Sequence, residues 1–166
     1  MIQALEGFRS PKLFFIANTE LIHHLNHTIA ASREFRVWNA WWFDGPLLLK
    51  LESRFVTLAY CESVTDDDLN AFLLEWLRRP TGCGRVSMMV LDKRTGPDWD
   101  LDNITHNLTR YEQPYPENGF ANGRIYLRES DGQMFKINVH RQNSKSFVIF
   151  HGNYMFDNPI DPALED

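Results

Sequence analysis

The chain has 166 residues, 43% hydrophobic and 23% charged, with twelve Phe, five Trp and five Tyr: enough for one compact domain with a large core. A net charge of −5 without a Lys/Arg cluster argues against nucleic acid as a partner, because that role depends on cations neutralising phosphates. The longest apolar runs, such as 47–49, are far too short to span a membrane, so no membrane partner is expected.

In chain order, the N-terminus (MIQALEGFRSPKLFF) lacks a basic segment followed by a long apolar run, so no signal peptide is expected. Residues 12–17 predict a strand. Asn18 or Thr19 then caps a helix carrying Leu21, Ile22, Leu25 and Ile29. A second strand is expected at 34–39, and a short helical turn within 43–51, started by Asp44 and Pro46. A third strand, 54–61, is rich in β-branched and aromatic residues.

The strongest helix signal covers 66–79. Thr65 offers an N-cap hydroxyl, and Asp66, Asp67 and Asp68 place negative charge on the first turn. Leu69, Phe72, Leu73, Trp76 and Leu77 form an apolar stripe, and Pro80 and Gly82 end the helix. A fourth strand follows at 85–91. Leu101, Ile104 and Leu108 mark a further helix that Asp98 or Asp100 can cap. Strand starts near 12, 34, 54 and 85 lie 22, 20 and 31 residues apart. A leucine-rich repeat of about 20–29 residues supplies one strand and one helix or helical turn, so 12–111 reads as degenerate repeats of that kind.

After the turn-rich connector 113–119, alternating runs at 123–130, 133–140 and 146–151 predict an antiparallel meander, with Asp131-Gly132 as a two-residue hairpin turn. The expected fold class is therefore α/β, with leucine-rich-repeat-like strand–helix units followed by a C-terminal antiparallel β-meander. It forms one domain over 1–155, with 156–166 a solvated tail.

Trp41-Trp42-Phe43-Asp44, Leu47-Leu48, Val56-Thr57-Leu58 and the run from Val64 to Leu77 (VTDDDLNAFLLEWL) together carry a family resemblance. This stretch resembles the F-box-associated domain (type 2) of nematode F-box proteins, in which a strand precedes an acidic helix and a second strand follows it. Ile125 to Gly132 (IYLRESDG) is similar to the part that commonly comes next. The resemblance is best over 35–92 and looser to about 150. It implies a protein–protein interaction domain that recognises substrates for a cullin-type ubiquitin ligase. No F-box is found among the 166 residues, so a ligase adaptor becomes a partner only through an F-box outside this chain. Two other readings remain: a stand-alone interaction or scaffold module with no ubiquitin role, and a small-molecule hydrolase using His106, His140 or His151.

Candidate chemistry is sparse. His23 and His27 are four apart on the expected helix, a spacing that zinc sites use, but no third ligand is evident and helix-surface histidines are expected. The run Asp66 to Asp68 and the alternating Asp98, Asp100 and Asp102 are better explained as helix caps than as calcium ligands. Cys61 and Cys83 are too few for a disulfide framework and read as packed, reduced thiols in a cytoplasmic or nuclear protein. The sequons at Asn26, Asn103 and Asn107 read as chance matches. No G-x-S-x-G, G-x-G-x-x-G or P-loop motif occurs, so no enzyme, cofactor or metal is expected.

Strand side chains alternate between two faces. Phe35, Val37, Val56, Leu58, Tyr60, Val86, Met88 and Val90 are expected to point inward. Arg36, Trp38, Phe55, Thr57, Ala59, Ser87 and Met89 then share the opposite face. Of these, Arg36, Trp38, Phe55, Thr57, Ser87 and Met89 are the candidate protein-binding residues. Trp41 and Trp42 are expected mostly in the core, with Trp38 more open.

Overall fold

The computed structural model describes residues 12–15, 34–78, 81–110 and 123–152, with 12–15 known by its strand and pairing. The expected helix over 19–29, the connector 113–119 and the tail 156–166 lie outside the described residues, as do His23, His24 and His27.

Seven strands form one mixed sheet: β1 (Lys12–Phe15), β2 (Glu34–Val37), β3 (Phe55–Leu58), β4 (Met88–Lys93), β5 (Gly123–Arg128), β6 (Gln133–Gln142) and β7 (Lys145–Gly152). The spatial order is β1-β2-β3-β4-β7-β6-β5. The first four strands run parallel in chain order. Then β5, β6 and β7 return as a meander whose last strand joins β4 antiparallel, and these antiparallel ladders are the longer ones. Three α-helices are described, α1 (Gly45–Leu48), α2 (Asp66–Arg78) and α3 (Leu101–Ile104), with a 3-10 turn at Gly82–Arg85. The fold is mixed α/β.

Helix α2 forms for the reasons its sequence gives. The Asp68 backbone N–H donates to Thr65 Oγ1 (3.2 Å), and Asp68 Oδ2 accepts from the Thr65 N–H (2.9 Å). This is a reciprocal cap with Asp in the place usually taken by Glu. Leu69, Phe72, Leu73 and Trp76 are fully buried against the sheet. There Trp76 meets Phe135 (5.3 Å between ring centres) and Phe150 (5.6 Å) edge-on, and Phe72 meets Phe150 in the same way. Asp44 caps α1 by accepting from the Leu47 N–H, and Asp100 caps α3 through the Asp102 and Asn103 N–H groups. Helix α3 is a single turn. It stops at Thr105, two residues before left-handed Asn107, so Leu108 packs on the core from beyond the helix.

Two local expectations are corrected. The tight two-residue turn is Asn143-Ser144, with both φ angles positive (50° and 61°) between paired Gln142 and Lys145. The Asp131-Gly132 hairpin instead has a longer loop, from the Arg128–Gln133 pair across 129–132, because Asp131 turns back to bind the Arg128 guanidinium. The inward set also changes phase around β4. The Ser87 and Met88 N–H groups both donate to the Arg54 carbonyl (2.8 and 3.0 Å), so one extra residue enters before the ladder. A bulge of that kind exchanges the two faces of everything beyond it. Met89 and Leu91 therefore fill the core, while Met88 is exposed and Val90 half-buried. Ala59 is buried and Tyr60 half-buried, the reverse of simple alternation. The chain leaves β3 at Leu58 and Tyr60 takes a left-handed conformation (φ 60°).

Candidate functional site

The helices cover one face of the sheet. Among the described residues no helix packs on the other face, whose side chains follow from the register. One cross-strand row runs Glu34, Phe55, Met88, His151, Lys136, Ile125, and the next runs Arg36, Thr57, Val90, Ile149, Asn138, Gly123. A shallow groove of about 330 Å³ opens on this face between Glu34, Arg36, Phe55, Thr57, Met88 and Val90. Phe55 is 40% exposed and Met88 36%, and Trp38, just past the end of β2, is 58% exposed.

Of the residues predicted to form a binding face, the structure brings Arg36, Phe55 and Thr57 together in this groove. Trp38 stands exposed beyond it, and Ser87 is half-buried in the lead-in to β4. Met89 does not belong. It is fully buried on the helix side, and the bulge at Ser87 and Met88 puts Met88 and Val90 in its place. The two-for-one contact with Arg54 depends on long-range pairing and leaves no mark in the local sequence. Trp41, expected in the core, is 53% exposed, while Trp42 packs partly against the core beside Phe43.

Electrostatics differ between the two sides of the sheet. Arg36 pairs with Glu34, and Lys145 lies 3.6 Å from Asp92. Lys136 is buried, and its stem lies beside Gly123, where an added Cβ would collide with it. Its charge and the burial of His151 both push the His151 pKa down, burial contributing more. On the helix side, burial raises the Asp66 carboxyl pKa, and Lys93 is pushed down by its burial, its ammonium 3.6 Å from the centre of the Trp99 ring.

A second groove, about 630 Å³, lies on the outer side of α2 between Leu49, Ala71, Leu74, Glu75 and Arg78. Among the described residues neither groove is lined by a histidine, serine or cysteine. His106 and His140 are exposed, and His106 contacts the Asn103 carbonyl of its own turn. Cys61 and Cys83 are buried and are not joined by a disulfide, and Cys61 Sγ donates to the Asp92 carbonyl (3.1 Å). Among the described residues no group of three or more His, Cys, Asp or Glu is placed to hold a metal ion. No described helix is long and apolar enough to cross a membrane. Comparison with protein-family models, curated proteins and solved structures gives no match to this chain.

Proposed function

We propose that this chain is a protein-recognition domain that holds a protein target on the face of the sheet opposite the helices. The observation that carries the reading is the groove between Arg36, Phe55, Thr57, Met88 and Val90, where large apolar side chains stand exposed among charged ones. Exposed aromatic and Met side chains with Arg beside them are the composition of interface centres. Among the described residues its walls carry no histidine, serine or cysteine.

The resemblance of 35–92 to the F-box-associated domain supports the further step, that the target is a substrate presented to a cullin-type ubiquitin ligase in the cytoplasm or nucleus. The sequential parallel order of β1 to β4, with strand starts at residues 12, 34, 55 and 88, supports the leucine-rich-repeat-like reading of the N-terminal part.

Affinity purification with mass spectrometry tests both steps, with the chain, its Trp38→Ala/Phe55→Ser variant, and a bait extended by any upstream coding sequence. A target recovered with the chain and lost with the variant supports the sheet face. Ligase subunits recovered only with the extended bait support the ubiquitin role; a target without them leaves a stand-alone interaction module. A target lost with Leu74→Ser and kept with the Trp38/Phe55 variant moves the site to the α2 groove and sinks the assignment.

A further inference from the structure

The end of the sheet face where β2, β3 and β4 finish carries a second feature, built on Tyr60. Its φ of 60° is rare for an aromatic residue, and the Asp92 carboxylate holds it there by accepting the Tyr60 N–H (2.6 Å). Such a conformation persists only when its surroundings enforce it, and it is concentrated at functional sites. The result is a ring flanked by two cations. The Arg94 guanidinium lies 3.8 Å from the ring centre, and Lys145 Nζ lies 5.6 Å from it and 5.9 Å from that of Phe147. Arg94 is exposed and forms no ion pair with any described residue, although its backbone N–H donates to Glu62. Lys145 shares its charge with Asp92 alone among them.

These cations belong to a wider asymmetry. Among the described residues, this face and its end carry Arg36, Arg94, Lys136 and Lys145 against Glu34, Glu62 and Asp92, a small cationic excess in a chain whose net charge is −5. The acidic residues of α2 and α3 lie on the opposite side. An excess of one sign on one face favours partners of the other sign.

We propose that the protein target presents an acidic peptide segment to this face, its carboxylates on Arg94 and Lys145 around Tyr60 and its apolar side chains in the groove at Phe55 and Met88. This rests on the reading of the sheet face as a protein-binding surface and supplies the chemistry of the partner. The apolar strip beside the cations favours a peptide over a nucleic acid, which would need many phosphate contacts against the net charge of this chain.

The test is selection of a random-peptide phage library on the full chain, followed by fluorescence anisotropy of the enriched peptides against variants. The expected result is enrichment of peptides combining Asp or Glu with aromatic or aliphatic residues. Their affinity falls about tenfold in Arg94→Glu/Lys145→Glu, more than one exposed pair contributes because two attractions become repulsions. It also falls as salt rises, and it falls when the peptide's Glu residues are changed to Gln. Arg94→Gln/Lys145→Gln gives a smaller loss in the same direction, and unchanged melting temperatures show that both variants fold. Enriched peptides that are neutral or basic, or that lose affinity with Phe55→Ser but not with the charge reversals, overturn the acidic assignment and leave the sheet face standing. Peptides indifferent to both sets of variants overturn both, as does a labelled single-stranded oligonucleotide that binds more tightly than any selected peptide. A selection that enriches no acidic peptide overturns the assignment as well.

Discussion

The Arg128 guanidinium lies 3.9 Å from the centre of the Trp76 ring while its Nη1 donates to the carbonyl oxygen of the same residue, 3.0 Å away. One side chain of β5 thus stacks on the last buried ring of α2 and satisfies a carbonyl in its last turn, which the helix leaves without an internal partner. Arg128 is 1% exposed, and Asp131 receives two of its N–H groups at 2.9 and 2.8 Å. Arg128→Ala is expected to cost about 3–4 kcal/mol in urea unfolding, because it removes the stack, the carbonyl cap and the partner of Asp131 together. Arg128→Lys keeps the charge without the planar fork and recovers less than half of that loss. A cost under about 1 kcal/mol for Arg128→Ala would show that α2 is not anchored to β5 in this way.

The β6–β7 turn invites a stabilising change. Asn143 and Ser144 both sit at positive φ between paired Gln142 and Lys145, the geometry of a type I′ turn. Asn tolerates that conformation and Ser does so at a cost, whereas Gly adopts it freely. Ser144→Gly is expected to raise stability by about 0.5–1 kcal/mol, read as a higher melting temperature. Asn143→Val should lower it. If Ser144→Gly lowers the melting temperature, the turn is not the one described.

Where the sequence was legible, the signal was local and repeated at several levels. Thr65, the three aspartates and the apolar stripe of 66–77 all specify α2, and the structure follows them to the cap. The meander was legible for the same reason, as alternating runs with turn residues between them. Two kinds of position were not. Met89 lies beyond a bulge defined by Arg54, more than thirty residues away in the chain, and alternation read along one strand misses the shift in phase. Asp131-Gly132 carries the better turn dipeptide, but Arg128 takes up the aspartate and lengthens that loop. Three of the predicted binding residues meet in the groove, because β2 and β3 keep their alternation. Met88 and Val90 join them only after the bulge has turned β4.

Cys61 should behave as an inert thiol. Burial, the main cause, pushes its pKa up to about 12 from 9.0, and its Sγ–H is engaged by the Asp92 carbonyl. In native buffer near neutrality, Cys61 and Cys83 should resist a thiol-directed disulfide reagent and react fully once the chain is unfolded in guanidinium. Between pH 9.0 and about 12 the folded chain keeps a proton that the unfolded chain has lost, so stability should fall as pH rises through this window. Cys61→Ala should flatten that fall. Rapid labelling of Cys61 in the native chain would show that the thiol is not enclosed as the structure has it.

His151 gives the opposite pH dependence, through Lys136. The two residues are partners across β6 and β7 on the sheet face, and burial together with the Lys136 charge lowers the histidine below its usual 6.5. The folded chain therefore takes up this proton less readily than the unfolded one. The contribution of His151 to stability is fully present above about pH 6.5 and is lost as pH falls from there toward the lowered folded value. Lys136→Met removes the charge and keeps the stem over Gly123, so the His151 ring should titrate at a higher pH in this variant, followed by NMR of its ring protons. Burial, the larger cause, still holds the value below 6.5. His151→Phe should remove the acid-side loss of stability while keeping the row from Phe55 through Met88 filled. A His151 titration unmoved by Lys136→Met would mean that the two side chains do not share the sheet face at the distance their pairing implies.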